Sequence, residues 1–292
     1  MKFNCFNMNR LVFYFKAYCL FLLVNVFLLS DVSAHPFLNV GNSLKSIASD
    51  SVNWKDSVDV YREQARQGEF TAYEKLARFY ESGLGVGQDY VIAMFLYNQA
   101  SEFGGRRFKE YMNDSGLCLL FSGIEKAYKE KDSIAFNNQL SEITQRCPFL
   151  GLVTEIILIK DTTELIPFLE SQVAEGNLDA KILLTTFHLK KGRIVPDMEH
   201  LDEMFSRIPV LYNILGAFYM KGSDYVEKDI DKAIYYFKKA DDLALLSRKY
   251  INSLLECYRI KLKENGEMPC SDAEYSRLMR LSSLSSTASM DR

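Results

Sequence analysis

The sequence is poor in the residues that usually carry catalysis. Three histidines, one tryptophan and six cysteines are spread over 292 residues. It contains no H-E-x-x-H pair, no G-x-S-x-G elbow and no Walker loop. The common metalloprotease, serine-hydrolase and nucleotide-hydrolysing arrangements therefore have no local signature. Formal net charge is only −3. Without a basic excess to neutralise phosphates, nucleic acid is excluded as a partner class. Only six prolines interrupt the chain, which leaves room for long helices. The nearest approach to a metal site is His188 and His200, twelve residues apart across a predicted turn with Glu199 and Asp202 nearby. No ligand spacing supports it, so no catalytic, cofactor or metal site is expected.

What the chain does have is helical punctuation. Residues 65–104 read as two amphipathic helices around a glycine-rich turn. Ala72, Leu76, Phe79 and Tyr80 fall on one apolar stripe. Gly83-Leu84-Gly85-Val86-Gly87 stops the helix, and Asp89 is placed to cap the next one. Ala93, Tyr97 and Ala100 continue the stripe. The glycine run follows a helix instead of a strand and has no Lys-Ser/Thr after it, so it reads as a turn and not as a phosphate loop. A helix pair this small cannot bury its own apolar face and needs stacked neighbours. Two further stretches, 174–208 and 209–244, repeat the pattern. Asp89, Asp197 and Asp229 stand in register, followed by Ala93, Leu201 and Ala233, then by Tyr97, Phe205 and Phe237, then by Ala100, Ile208 and Ala240.

The repeated pattern A-x-x-x-L-[GA]-x-x-[YF]-x-x-G-x-G-V-x-x-D-x-x-x-A-x-x-x-[YF]-x-x-A resembles the SEL-one-like repeat, a relative of the tetratricopeptide repeat. The copy at 65–104 fits nearly throughout. The copy at 209–244 has one extra turn residue and lacks the second glycine. The copy at 174–208 is worn, with Leu201 in an alanine position and Pro196 in its turn. The resemblance implies an all-α, right-handed solenoid of antiparallel helix pairs; on separate grounds, it is expected to be preceded by a signal peptide.

Residues 1–34 have the features of that leader. Lys2, Arg10 and Lys16 precede or flank an apolar run from Ala17 to Leu29, and Val32-Ser33-Ala34 is a small-residue cleavage site. The alternative is an uncleaved anchor over Leu11–Leu29, interrupted by Lys16. Either arrangement predicts export, to the periplasm or beyond, with membrane contact only if the segment stays attached. Residues 35–50 read as a linker. A helix over Val52–Gln67 carries Trp54, Val58, Tyr61 and Ala65 on one stripe and is placed to cap the first repeat. Residues 105–173 lose the motif but keep helical periodicity. A capping helix is predicted at 245–265, a short helix at 272–281 and a disordered tail at 282–292. After cleavage four cysteines remain, Cys118, Cys147, Cys257 and Cys270. Pairing of Cys118 with Cys147 and of Cys257 with Cys270 stands open beside four buried thiols.

By the family resemblance, the function expected is that of an adaptor or scaffold that takes a protein or peptide partner in a concave groove. Motif phase puts Thr71, Glu74, Arg78 and Glu81 on that groove in the first repeat, and Val210, Asn213, Ala217 and Met220 in the third. Arg78 and Asn213 are expected to contact the partner without supporting the fold. Most tyrosines sit on the repeat stripes and read as packing. Tyr235 falls off its stripe and reads as an exposed anchor. Two alternatives remain: an exported enzyme or enzyme inhibitor with its site in the groove, and a structural envelope component.

Overall fold

The computed structural model describes residues 54–106, 108, 110–111, 123–124, 126–128, 130–159, 162–190, 201–222 and 226–287. They form α-helices and one short 3-10 turn, with no strand among the described residues. Residues 1–53, on which the expected leader and linker fall, Cys118, Asp197, His200 and residues 288–292 lie outside them. The chain divides into two compact units: Phe37–Leu119 with Glu199–Arg292, and Leu120–Met198 with Met1–Pro36.

The first unit holds both well-formed repeats. Its N-terminal helix α1 (Trp54–Arg66) packs on α2 (Phe70–Ser82), and α2 forms a hairpin with α3 (Tyr90–Glu102). Gly83 ends α2 in the left-handed conformation at φ 74°, its N–H returning to the Phe79 carbonyl. Gly85 is also left-handed, at φ 71°, and a Cβ there would lie 2.7 Å from the Trp54 backbone, so only glycine fits under the start of α1. The Asp89 carboxylate then accepts the Val91 and Ile92 N–H groups, as the capping expectation requires. Helix α3 differs from the single stripe expected of it: every residue from Tyr90 to Ala100 is buried. It is covered on several sides because the 3-10 turn at Pro209–Leu211 packs on it as well as α2.

That contact joins the two repeats directly. Although Tyr212 follows Glu102 by 110 positions in the sequence, the hairpin of α9 (Tyr212–Lys221) and α10 (Ile230–Asp242) belongs to the same unit as α2 and α3. Asp229 caps α10 through the Lys232 N–H at 2.9 Å. Ala233, Phe237 and Ala240 are fully buried, as their counterparts Ala93, Tyr97 and Ala100 are nearly so. A six-residue helix α8 (Leu201–Ser206) precedes this hairpin, and α11 (Arg248–Asn265) and α12 (Asp272–Thr287) follow it. Helix α12 runs past Leu281, so the disorder expected from residue 282 does not begin there; Leu281 is itself buried. The reason is long-range packing. Arg277 donates to the Arg66 carbonyl at 2.8 Å and Arg280 to the Gln67 side chain at 2.8 Å, so the last helix meets the α1–α2 turn.

The other unit contains α4 (Ser133–Arg146), α5 (Pro148–Leu158), α6 (Thr162–Ala174) and α7 (Leu178–Lys190). Helix α4 pairs with α5, and α6 with α7. This corrects the expected middle repeat: residues 178–190 pair with the helix before them, and residues 201–206 belong to the other unit. The worn turn with Pro196 lies outside the described residues.

Polar side chains lock the end of α3 to the start of α11. The Arg248 guanidinium bonds the Glu102 carbonyl, and Gln99 Oε1 accepts the Arg248 N–H at 3.2 Å. The Glu102 carboxyl receives Asn98 Nδ2 at 3.0 Å and Gln99 Nε2 at 3.2 Å. Burial nevertheless pushes its pKa up to about 7, against the pull of these donors and of Arg248. The folded protein therefore holds this proton more tightly than the unfolded chain, whose value is 4.5. Stability contributed by the neutral carboxyl is full below the unfolded value, falls as pH rises through that window, and is gone above about 7. The span corresponds to about 3 kcal/mol at most. Glu102→Gln is expected to flatten the pH dependence of the urea midpoint across this window and to stabilise the protein at alkaline pH. A variant that titrates like the parent would disprove it.

Candidate protein-binding face

Thr71, Glu74, Arg78 and Glu81 lie at i, i+3, i+7 and i+10 of the α2 region, a spacing that keeps them on one side. Thr71 and Arg78 are exposed; Glu74 and Glu81 are half-buried. The helix ladder sets their backbone, and a network sets their tips. Arg78 donates to Glu74 at 2.7 Å, and Arg106 reaches the same carboxylate oxygen at 3.4 Å. Tyr97, from α3, donates its hydroxyl to Glu81 at 2.8 Å. Burial, followed by the Glu81 carboxylate, pushes the Tyr97 phenol well above its usual range, so it stays a donor. Tyr97 stacks on Tyr111 at 5.6 Å, and the Arg106 guanidinium sits 4.7 Å from the Tyr111 ring. Each exposed ion pair here contributes only about 0.3–0.5 kcal/mol. Their effect is positional: they hold two guanidiniums on the Glu74 carboxylate while Tyr97 holds that of Glu81, a pattern suited to recognising polar groups of a peptide.

The third-repeat positions divide. Ala217 and Met220 are partly exposed on α9. Val210 and Asn213 are 0 % and 2 % exposed, so the expectation that they line a groove is corrected at both. Val210 belongs to the 3-10 turn pressed against α3. Asn213 is a structural clamp. Its Nδ2 donates to the Leu245 carbonyl at 2.7 Å and the Val210 carbonyl at 3.2 Å, and its Oδ1 accepts the Ser247 N–H at 3.0 Å. Those bonds satisfy the backbone of the α10–α11 connection, and removing them would leave buried groups unpaired.

Tyr235 is 51 % exposed, as its off-stripe position suggests, whereas Tyr80, Tyr97, Tyr219 and Tyr236 are buried. Trp54 packs on Phe79 with ring centroids 6.0 Å apart. Cys257 and Cys270 are free thiols, so the pairing left open for them is not formed; Cys257 lies fully buried in α11. Burial pushes both thiols up to about 11, away from nucleophilic character. The Cys118–Cys147 alternative involves a residue outside those described, as does the His188–His200 pair. No group of three His, Cys, Asp or Glu able to hold a metal occurs among the described residues, and none of their helices is long and apolar enough to cross a membrane.

The comparison with known families meets the geometry at its two hairpins. The Sel1 repeat matches residues 71–102 and 211–242, which are α2–α3 and α9–α10. The chain carries two Sel1 repeats. The expected middle copy, at 174–208, has no such match, in agreement with the different pairing of α7. Sel1 repeats serve generally as protein–protein interaction modules. Among solved structures the chain is similar to a protective antigen of uropathogenic Escherichia coli displaying an SLR fold. The two share 17 % identity over 79 % of this chain and 56 % of the antigen, with a TM-score of 0.29. The chain thus spans little more than half the length of that protein. No curated protein matches it.

The motif does not disclose the residues that brace the first hairpin and tie the ends of this unit together. Arg106 and Tyr111 follow the first hairpin and carry no motif. Asp241 stood in plain view, four residues after Phe237 and on the buried stripe of α10.

Proposed function

We propose that this Sel1-repeat chain is an exported scaffold whose helix pairs stack as a right-handed solenoid and grip a protein or peptide partner on the face of α2 and α9. The observation that carries the reading is the α2 face: Thr71 and Arg78 are exposed while Glu74, Arg106 and Tyr97 fix the charges around them. Fixed polar groups lower the ordering cost of binding. The contact positions are Thr71, Glu74, Arg78, Glu81, Ala217 and Met220. Export rests on the leader-like residues 1–34.

The test uses chain beginning at His35 as bait in crosslinked extracts of its host's envelope and secreted fractions. A single partner should be recovered, and Arg78→Glu with Met220→Asp should reduce its recovery at least about ten-fold. Thermal melting of that variant should match the parent, because neither side chain is buried. Asn213→Ala serves as the opposite control, losing stability first. Unchanged recovery with the double variant would rule out this face.

A further inference from the structure

We propose that α12 is an internal ligand, held in a docking seat at the α1–α2 turn that also accepts a helix of a partner protein with the same chemistry. Arg277, Arg280 and Leu281 stand at i, i+3 and i+4, on one side of α12. Each meets a fixed feature of the seat. Arg277 forks onto Asp241 at 3.1 and 2.5 Å and donates to the Arg66 carbonyl at 2.8 Å. Arg280 donates to the Gln67 side chain at 2.8 Å. Leu281 enters a notch that exists because residue 68 is glycine: a Cβ there would lie 2.5 Å from Leu281 Cδ2 and 3.5 Å from the Phe103 ring.

The charges of the seat call for a basic occupant. Glu63, Asp241 and Asp242 all draw on one arginine, Arg66, at 2.9, 2.8 and 3.6 Å. Three carboxylates against one guanidinium leave an acidic excess, which the cations of α12 offset. The seat also survives the departure of α12, since Asp241 keeps Arg66 and is not left as a buried anion without a cation.

Helix α12 itself is lightly held. Among its described side chains only Leu278 and Leu281 are buried, against seven in α10. Its ties to the neighbouring helices are polar: Tyr258 donates to Glu274 at 2.5 Å, and Lys238 lies 3.5 Å from the same carboxylate. Elements with little buried apolar surface are the ones that open below the cost of global unfolding. The connection to α11 supplies the joint. Gly266 ends α11 in the left-handed conformation at φ 76°, and none of residues 266–271 is buried. A partner helix carrying Arg-x-x-Arg-Leu would reproduce the contacts of Arg277, Arg280 and Leu281. It would compete with a tethered copy whose local concentration is roughly millimolar.

Two measurements on the full chain test this. Native-state hydrogen exchange should show residues 272–287 opening before α3 and α10, and opening at least about ten-fold faster in Arg280→Ala plus Leu281→Ala, with α3 and α10 unchanged. A fluorescein-labelled peptide of residues 272–287, followed by anisotropy, should then bind that variant at least about ten-fold more tightly than the parent chain, where the tethered helix competes. The same peptide with Arg277→Glu should not bind. Exchange of α12 only together with α3 and α10 would overturn the proposal. So would failure of the peptide to bind the variant, equal affinity for variant and parent, or equal binding of the Arg277→Glu peptide. Concentration-dependent dimers of the parent chain that the peptide dissociates would make a second copy the occupant and overturn the partner reading. Loss of the peptide on Arg78→Glu plus Met220→Asp would place it on the α2–α9 face, overturning this proposal while leaving that reading standing.

Discussion

Asp241→Ala is expected to destabilise the repeat unit by about 3–5 kcal/mol, because it strands the buried Arg277 and takes from Arg66 its one buried partner. The side chain is 7 % exposed and that of Arg277 is 9 % exposed. One carboxylate serves both cations: Arg277 makes the two-pronged contact, at 3.1 and 2.5 Å, and Arg66 adds a third bond at 2.8 Å. Arg277 also donates to the Arg66 carbonyl, so a single acid ties the ends of α1 and α10 to the body of α12. The attraction inside the cluster does little more than offset the cost of taking three charges from water. Deleting the anion keeps the cost and removes the compensation. Against a usual net stability of about 5–15 kcal/mol, a loss of this size moves a large share of molecules towards unfolding. The urea midpoint followed by circular dichroism reads it directly. Asp241→Asn should fall almost as far, since the amide offers one acceptor and no charge. Replacing Asp241 and Arg277 together by leucine and methionine should recover part of the loss. An alanine variant within about 1 kcal/mol of the parent would contradict this account.

The same residue marks the limit of what the sequence discloses. Hairpins α2–α3 and α9–α10 were legible because their signals are local: a left-handed glycine at Gly83, caps at Asp89 and Asp229, small residues at Ala93 and Ala233. Each acts within a few residues of itself. The pairing of α7 with α6 was not legible, because helical periodicity says that residues 178–190 bury a face and not which neighbour covers it. Asn213 was misplaced for a related reason. Motif phase carried it to the side used by Arg78, but the α10–α11 connection folds over α9 and takes its amide for the Leu245 carbonyl and the Ser247 N–H. Arg277 was invisible until α12 reached the α1–α2 turn, a contact across 211 residues of sequence. Local chemistry therefore identifies the repeats, and the buried polar ties between distant helices decide which of their faces remain open for a partner.

Phe237→Ala is the second large effect, expected at about 3–5 kcal/mol. The ring is fully buried at the stripe position shared with Tyr97, and it stacks on Tyr250 of α11 with centroids 5.8 Å apart. It also explains Gly216. A Cβ at that residue would lie 2.6, 2.7 and 2.9 Å from three atoms of the Phe237 ring. Helix α9 accepts a glycine in its interior, at a cost of about 1 kcal/mol in propensity, because the ring passes through the space a methyl would need. The corresponding place in the first repeat holds Ala77. Gly216→Ala alone should therefore destabilise, its gain in helix propensity being outweighed by displacement of the ring from close packing. In the Phe237→Ala background the same change should stabilise, since the new methyl enters the vacated volume and the propensity gain is kept. The two substitutions should thus fall short of additivity by about 1 kcal/mol or more in a double-mutant cycle. Additive effects would mean that the ring moves aside freely, and that close approach is not what holds α9 to α10.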